Sequence, residues 1–444
     1  MKNETEGKMS VKEALPLGLQ HLLAMFVGTI VPPLLIANVA KVDQAGTVML
    51  IQAALFVSAI ATFIQIFPLP LTKKIKTGSD LPIMMGMAYV FLGVSISIAG
   101  NYGLPALFGG LLVSSVLGIF MGFFIERIKK IFTPLISGVL VICMGIGLFK
   151  PAMHNMAGGM GASTYGEPKN FLLGLFVIFL IMFLNKVGKG VVKDASILIG
   201  IIAGYIIALP LGMVDFSGVG SASWFALPRP LAYGIEFKPS VIISCTVAYA
   251  ISLISFLGCA TVTTFGGYGR PLKGEEMANG SIGVAFGSVI GALFGSIPVA
   301  GLTQNAAIIS MNKYVNKIIF IVAGTLVLLT SVSPKVAAVL ITIPNAIVGG
   351  ATLIIFGMIA ISGIGLLTMK GLDTDTKLIS AVSIAISIGI SYIPGILSQF
   401  PESIQMVLGA SSIIPGVILA LILQGVYGAI SHYNEKKEVG IEKV

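Results

Sequence analysis

Apolar runs of about twenty residues recur along all 444 residues of the chain, and nothing else in the sequence constrains the fold as tightly. A helix needs roughly 20 apolar residues to cross the ~30 Å hydrocarbon core of a bilayer. Inside that core every backbone N–H and C=O must be bonded within the protein, which leaves helices or a closed barrel. Runs of this length are read as helices. Composition closes the soluble alternative: 56% of residues are hydrophobic and 10% charged, against roughly 25% charged in soluble chains. The sequence describes an all-α integral membrane protein whose first partner is the lipid bilayer.

Fourteen spans are expected, near 15–38, 46–68, 80–98, 103–125, 133–150, 169–187, 194–213, 238–260, 279–297, 300–316, 318–334, 342–366, 377–396 and 404–430. The run Leu15 to Ala40 lacks a small-residue cleavage pattern and is too long for a signal h-region, so it is read as a retained span. Alternating from a cytoplasmic N-terminus, 21 of the 27 Lys and Arg residues fall inside and 6 outside. That asymmetry obeys the positive-inside rule with both termini cytoplasmic. It also accounts for the net charge of +9 without a nucleic-acid partner. The expected location is the plasma membrane, as a multi-pass protein. Cys143, Cys245 and Cys259 lie in apolar runs with no metal-ligand spacing, which suggests neither a disulfide framework nor a zinc site.

The chain resembles itself at half its length. "TPLISGVLVICMGIGLF" (133–149) and "IPNAIVGGATLIIFGMI" (343–359) share a Pro at the membrane entrance, then small residues, then bulky ones. Seven spans per half is an odd number, so two such repeats are inverted relative to each other, as in many secondary transporters. A second pair is "GSDLPIMMGMAYVF" (78–91) and "GSIPVAGLTQNAA" (295–307), about 216 residues apart, each with Gly-Ser followed shortly by Pro. Matching Gly/Pro interruptions of this kind point to a midplane binding site.

Gln304 and Asn305 sit at the second interruption, where two amides exceed what one helix cap needs. His21 lies inside the first span, as interhelical glue or as a member of a substrate or proton network. Tyr89, just past the first break, is a packing aromatic or a platform for a ligand ring. The eighth span carries several Ser and Thr residues, which commonly bond back to their own helix. None of the eighteen carboxylates lies mid-span, and there is no HExxH, GxSxG or mid-span carboxylate pair. An intramembrane enzyme is therefore set aside.

These residues resemble the nucleobase–ascorbate transporters, the nucleobase:cation symporters that include the xanthine/uracil permeases. "TQNAAIISMNK" (303–313) is similar to the family signature, with Gln304, Asn305 and Lys313 matching and Ala307 and Asn312 departing. "QHLLAMFVGTIVPPLLI" (20–36) looks like its Gln-His first-span motif, and "GRPLKGEE" (269–276) like the loop after its eighth span. The resemblance implies short β-strands in spans 3 and 10. It implies a core domain at 15–125 and 238–334 and a gate domain at 133–213 and 342–430, between cytoplasmic tails at 1–14 and 431–444. It also implies substrate contacts at Gln304, Asn305, Ser255, Tyr89, Ala88 and His21. Relatives often pair through the gate domain, so a homodimer is expected. Where family members carry carboxylates, this chain has Ser255, Cys259 and Asn279. The expected function is uptake of a nucleobase, a purine such as xanthine, by a secondary transporter that uses no cofactor and is coupled, if at all, to H⁺ or Na⁺. The second reading is an anion carrier of the same fold for sulfate, bicarbonate or a carboxylate, since paired helix N-termini suit an anion.

Overall fold

The structure is a computed structural model that describes residues 9–441 except 73–74, 126, 128–132, 160–161, 218, 221, 370, 394 and 410–411. Lys2, Lys8, Lys73, Lys74, Lys129, Lys130, Lys370 and Lys443, which enter the charge argument, lie outside the described residues. The chain is a multi-pass membrane protein. Among the described residues nine helices are long and apolar enough to cross a membrane, or ten if one pair bent by 80° is a single span.

The helices α1 (Val11–Val39) and α2 (Gln44–Ile66) form a hairpin, and β1 (Met85–Met87) follows. α1 opens with a capping box in which Ser10 and Glu13 satisfy each other's backbone N–H groups. α3 (Val90–Phe123) is one run in name only: Gly103 has φ 81°, ψ 172°, and Pro105 follows two residues later. Only glycine adopts such backbone without strain, so the chain changes direction there. This is why one long helix stands where the sequence reading has two spans.

Next come α4 (Pro134–Gly147), α5 (Phe149–Met156), α6 (Pro168–Val187), α7 (Val191–Asp194) and α8 (Ser196–Ala208). α9 (Pro239–Thr263) ends in a π-helical turn at Thr264–Tyr268 and leads to α10 (Gly274–Phe294), β2 (Val299–Gly301) and α11 (Thr303–Asn312). α12 (Lys317–Ser331) and α13 (Pro334–Ile341) make the bent pair. α14 (Asn345–Thr368), α15 (Thr374–Tyr392), α16 (Glu402–Gly409) and α17 (Ile414–Ile441) complete the chain.

The chain divides into two compact units, residues 1–128 with 150–354, and residues 129–149 with 355–444. In the larger unit, small residues let helices approach closely, the usual device where lipid offers no hydrophobic drive between helices. Gly110, Gly118 and Gly122 of α3 face Val241, Tyr249 and Ile282, so α3 lies against α9 and α10. Gly18 sets α1 on Val322 and the Ile319 carbonyl of α12, and Gly324 sets α12 on Phe63 of α2. A buried apolar cluster that includes Leu22, Met25, Leu55, Met84, Leu302, Ile309 and Phe320 fills the space among these helices and the strand ends.

In the smaller unit, Gly138 and Gly145 of α4 face Leu367 and Ala360 of α14. Ser387 Oγ donates to Ser412 O and accepts from Gly416 N at 2.8 Å, while Ser412 Oγ donates to Cys143 O at 2.9 Å. The first two bonds satisfy backbone groups at the start of α17, and the third ties that segment to α4.

Candidate functional site

The two Gly/Pro interruptions meet. β1 pairs antiparallel with β2 in the register Met85↔Gly301, Gly86↔Ala300, Met87↔Val299. The ladder continues at both ends through Ala88 N to Pro298 O at 2.9 Å and Leu302 N to Met84 O at 3.0 Å. Taking Gly86 and Ala300 as equivalents, one shift along the chain converts the first of these bonds into the second. The hydrogen bonds therefore have local two-fold symmetry.

Each strand leads directly into a helix, α3 after β1 and α11 after β2. Neither N-cap residue, Tyr89 or Leu302, makes a side-chain cap. Both helices thus begin beside the strand pair with their first N–H groups and dipole ends directed to it.

Gln304 is the second residue of α11 and its side chain is exposed, whereas Asn305 beside it is 1% exposed. A Cβ built on Gly28 of α1 would lie 3.4 Å from Gln304 Nε2 and 3.8 Å from Tyr89 OH. Three elements, α1, the start of α3 and the start of α11, therefore converge on one small volume. Gln304 supplies an amide with one acceptor and two donors, and Tyr89 supplies an aromatic face and a hydroxyl. Gly28 was not singled out in the sequence; the signal available was a glycine in "FVGTIVPP", one of 54 in the chain.

His21 and Asn305 form a second, buried group. Asn305 Nδ2 donates to His21 O at 2.9 Å and stands 3.0 Å from His21 Nδ1, which accepts if the ring carries its proton on Nε2. The imidazole also packs on Phe320, with ring centroids 4.6 Å apart. Asn305 Oδ1 is buried and makes no hydrogen bond. His21 thus points at Asn305 and Phe320.

Ala88 is buried, and its N–H is spent on Pro298 O. Ser255 is half-buried on α9, one turn before Cys259 and on the same helix face. Cys259 Sγ lies 2.8 Å from where a Cβ on Gly301 would stand, so that face of α9 backs β2. Asn279 Oδ1 accepts from Lys76 N at 3.1 Å and fixes the loop after α2. Lys313, at φ 62°, closes α11, and its Nζ donates to Gly266 O at 2.6 Å. In the loop after α9, Arg270 Nη1 donates to Glu276 Oε2 at 2.9 Å, and that bonding holds the guanidinium above its ordinary pKa. Among the described residues no group of three His, Cys, Asp or Glu side chains could hold a metal.

Comparison with known proteins identifies the family. The model of the Permease family named Xan_ur_permease matches residues 12–396. The chain belongs to this family. A relative of the permease in Clostridium perfringens is 35% identical over 411 residues, 92% of this chain and 89% of its own. The uric acid permease PucJ of Bacillus subtilis is 32% identical over 92% of this chain and 91% of its own. The nucleobase transporter PlUacP of Paenibacillus larvae is 28% identical over 98% and 99%. Among solved structures, the permease shares its fold with the murine anion transporter Slc26a9 in its inward-facing state. The TM-score is 0.64 at 11% identity, covering 96% of the permease and 69% of that chain.

Proposed function

We propose that this permease takes up a nucleobase, with a purine such as xanthine as first candidate, across the plasma membrane by alternating access. One observation carries the reading: the exposed Gln304 amide and Tyr89 both stand close to Gly28 at the meeting point of two helix starts. An amide matches the alternating donors and acceptors along a purine edge, and an aromatic suits the ring face. The names of relatives that match along most of the chain support the same substrate class. In this reading Gln304, Tyr89 and Ser255 line the site, Asn305 and His21 support it from behind, and Ala88 contributes through its place in the strand pair.

The wider architecture follows as part of the proposal. Fourteen spans form two inverted repeats, with both termini cytoplasmic. Spans 1–4 and 8–11 form the core that carries the substrate, and spans 5–7 and 12–14 form the gate against which it rocks and through which two copies pair. The transporter needs no cofactor. Coupling to H⁺ or Na⁺ is read by imposing each gradient in turn on reconstituted vesicles.

The test is uptake of radiolabelled xanthine by cells expressing Gln304→Ala, which should fall at least about tenfold, because a site built to hydrogen-bond a ligand loses most when that group goes. Wild-type uptake by the variant would overturn the site. The second reading, an anion carrier, draws on the fold shared with Slc26a9 and on the two helix N-termini. Uptake of labelled sulfate or bicarbonate that excess unlabelled bases leave unchanged, in cells that take up no xanthine, would favour it.

A further inference from the structure

The strand pair is held from outside as well as from within. Met85 N, on the edge of β1 away from β2, donates to Thr62 Oγ1 of α2 at 3.0 Å. Val299 N, on the outer edge of β2, donates to Ser288 Oγ of α10 at 3.2 Å. Each hydroxyl spends its own proton on its helix, Thr62 Oγ1 on Ser58 O at 2.8 Å and Ser288 Oγ on Val284 O at 2.7 Å. Both side chains are fully buried. The shift that maps Gly86 onto Ala300 also maps Met85 onto Val299, so the two hydroxyls hold equivalent positions on opposite sides of the pair.

A hydroxyl whose proton is committed to a helix carbonyl presents only lone pairs to the strand. It is a fixed acceptor, and the chain puts one on each side. Short strands of three residues have little stiffness of their own, and each runs within two residues into a helix that carries a site residue. The spacing between Tyr89 and Gln304 therefore depends on where α2 and α10 hold the strands.

We infer that Thr62 and Ser288 are positioning residues for the substrate, setting the gap between the two helix starts from outside the strand pair. The inference rests on the nucleobase reading for its substrate but not for its geometry. Loss of the Thr62 hydroxyl frees the Tyr89 side of the site, and loss of the Ser288 hydroxyl frees the Gln304 side.

The test compares Thr62→Val and Ser288→Ala, which lack the acceptor, with Thr62→Ser and Ser288→Thr, which keep it. Radiolabelled xanthine uptake should show KM raised about tenfold in the first pair, the scale of one lost hydrogen bond to a buried group. Protein amount and maximal rate should stay near wild type, and KM in the second pair should be within about twofold of it. Competition by a panel of bases should change its rank order differently for the two sites. Hydrogen exchange gives a readout that needs no substrate: Met85 N–H should lose protection in Thr62→Val alone, and Val299 N–H in Ser288→Ala alone. Unchanged KM without the hydroxyls, unchanged protection, or failure of Thr62→Ser alongside Thr62→Val would each overturn the inference. If Thr62→Val does not accumulate, Ser288→Ala carries the same test on the other strand. A wild-type protein that takes up no base would refute the substrate reading, while the exchange data would still decide on the two hydroxyls.

Discussion

Gly28→Ala separates the site from the fold, because the two should respond with opposite sign. The added Cβ would stand 3.4 Å from Gln304 Nε2, 3.8 Å from Tyr89 OH and 4.0 Å from Tyr89 Cε2. All three are ordinary van der Waals distances, so the methyl group fits without moving either side chain. It also sits within α1, where replacing glycine by alanine favours the helix by about 0.5–1 kcal/mol. Thermal stability of the purified permease should therefore hold or rise. The same methyl group adds bulk beside both the amide and the phenol that the substrate is proposed to use. A one-methylene misfit in a binding pocket is worth about 1–3 kcal/mol, or 10- to 200-fold. The assay pairs initial rates of radiolabelled xanthine uptake with thermal unfolding in detergent. A stable Gly28→Ala protein with wild-type KM would refute the reasoning, and so would a stability loss large enough to explain the lost uptake by itself.

Other outcomes follow from the same contacts. Asn305→Ala removes the donor to His21 O and Nδ1 and leaves a buried carbonyl without that partner. It should cost about 1–3 kcal/mol, visible as a lower unfolding temperature before any substrate is added. Gly118→Ala would drive a methyl group into the Tyr249 ring, and overpacking of this kind costs roughly 1–3 kcal/mol; expression and unfolding temperature should both fall, and wild-type values would count against the α3–α9 contact. By contrast, the Lys317–Asp80 ion pair has side chains 38% and 59% exposed. A double-mutant cycle with Lys317→Met and Asp80→Asn should find a coupling of at most about 1 kcal/mol that weakens with salt.

Local sequence chemistry showed where helices must break. Gly-Ser and Pro in "GSDLP" and "GSIP" cannot sustain a span, and the chain is non-helical at both. Gln304 and Tyr89 were legible because each lies directly after such a break. Gly28, Thr62 and Ser288 were not, because their parts in the site come from helices that the sequence cannot register against the strands. A buried Ser or Thr bonding back to its own helix is commonplace; only the strand N–H groups at Met85 and Val299 distinguish these two. The helix tally differs from the span reading for a similar reason. α3 runs through the Gly103 kink and counts once, while α11 (Thr303–Asn312), α8 (Ser196–Ala208) and the apolar part of α17 (Ile414–Ile430) are too short to count as spans, and the bent pair α12 and α13 counts only if taken together.

The pairing of β1 with β2 also bears on how the protein is made. Met85 to Met87 emerge from the ribosome long before Val299 to Gly301, and neither strand has another partner for its inner edge. Contacts so distant in sequence form late. Until Pro298 and Leu302 have been made, the N–H of Ala88 and the carbonyl of Met84 lack the partners they have in the finished ladder. The strand pair, and with it the spacing of Tyr89 and Gln304, is complete only once β2 has been made. A chain truncated before β2 would lack the groups that close the Ala88 N–H and the Met84 carbonyl across the ladder, and would leave a polar seam inside its apolar helices.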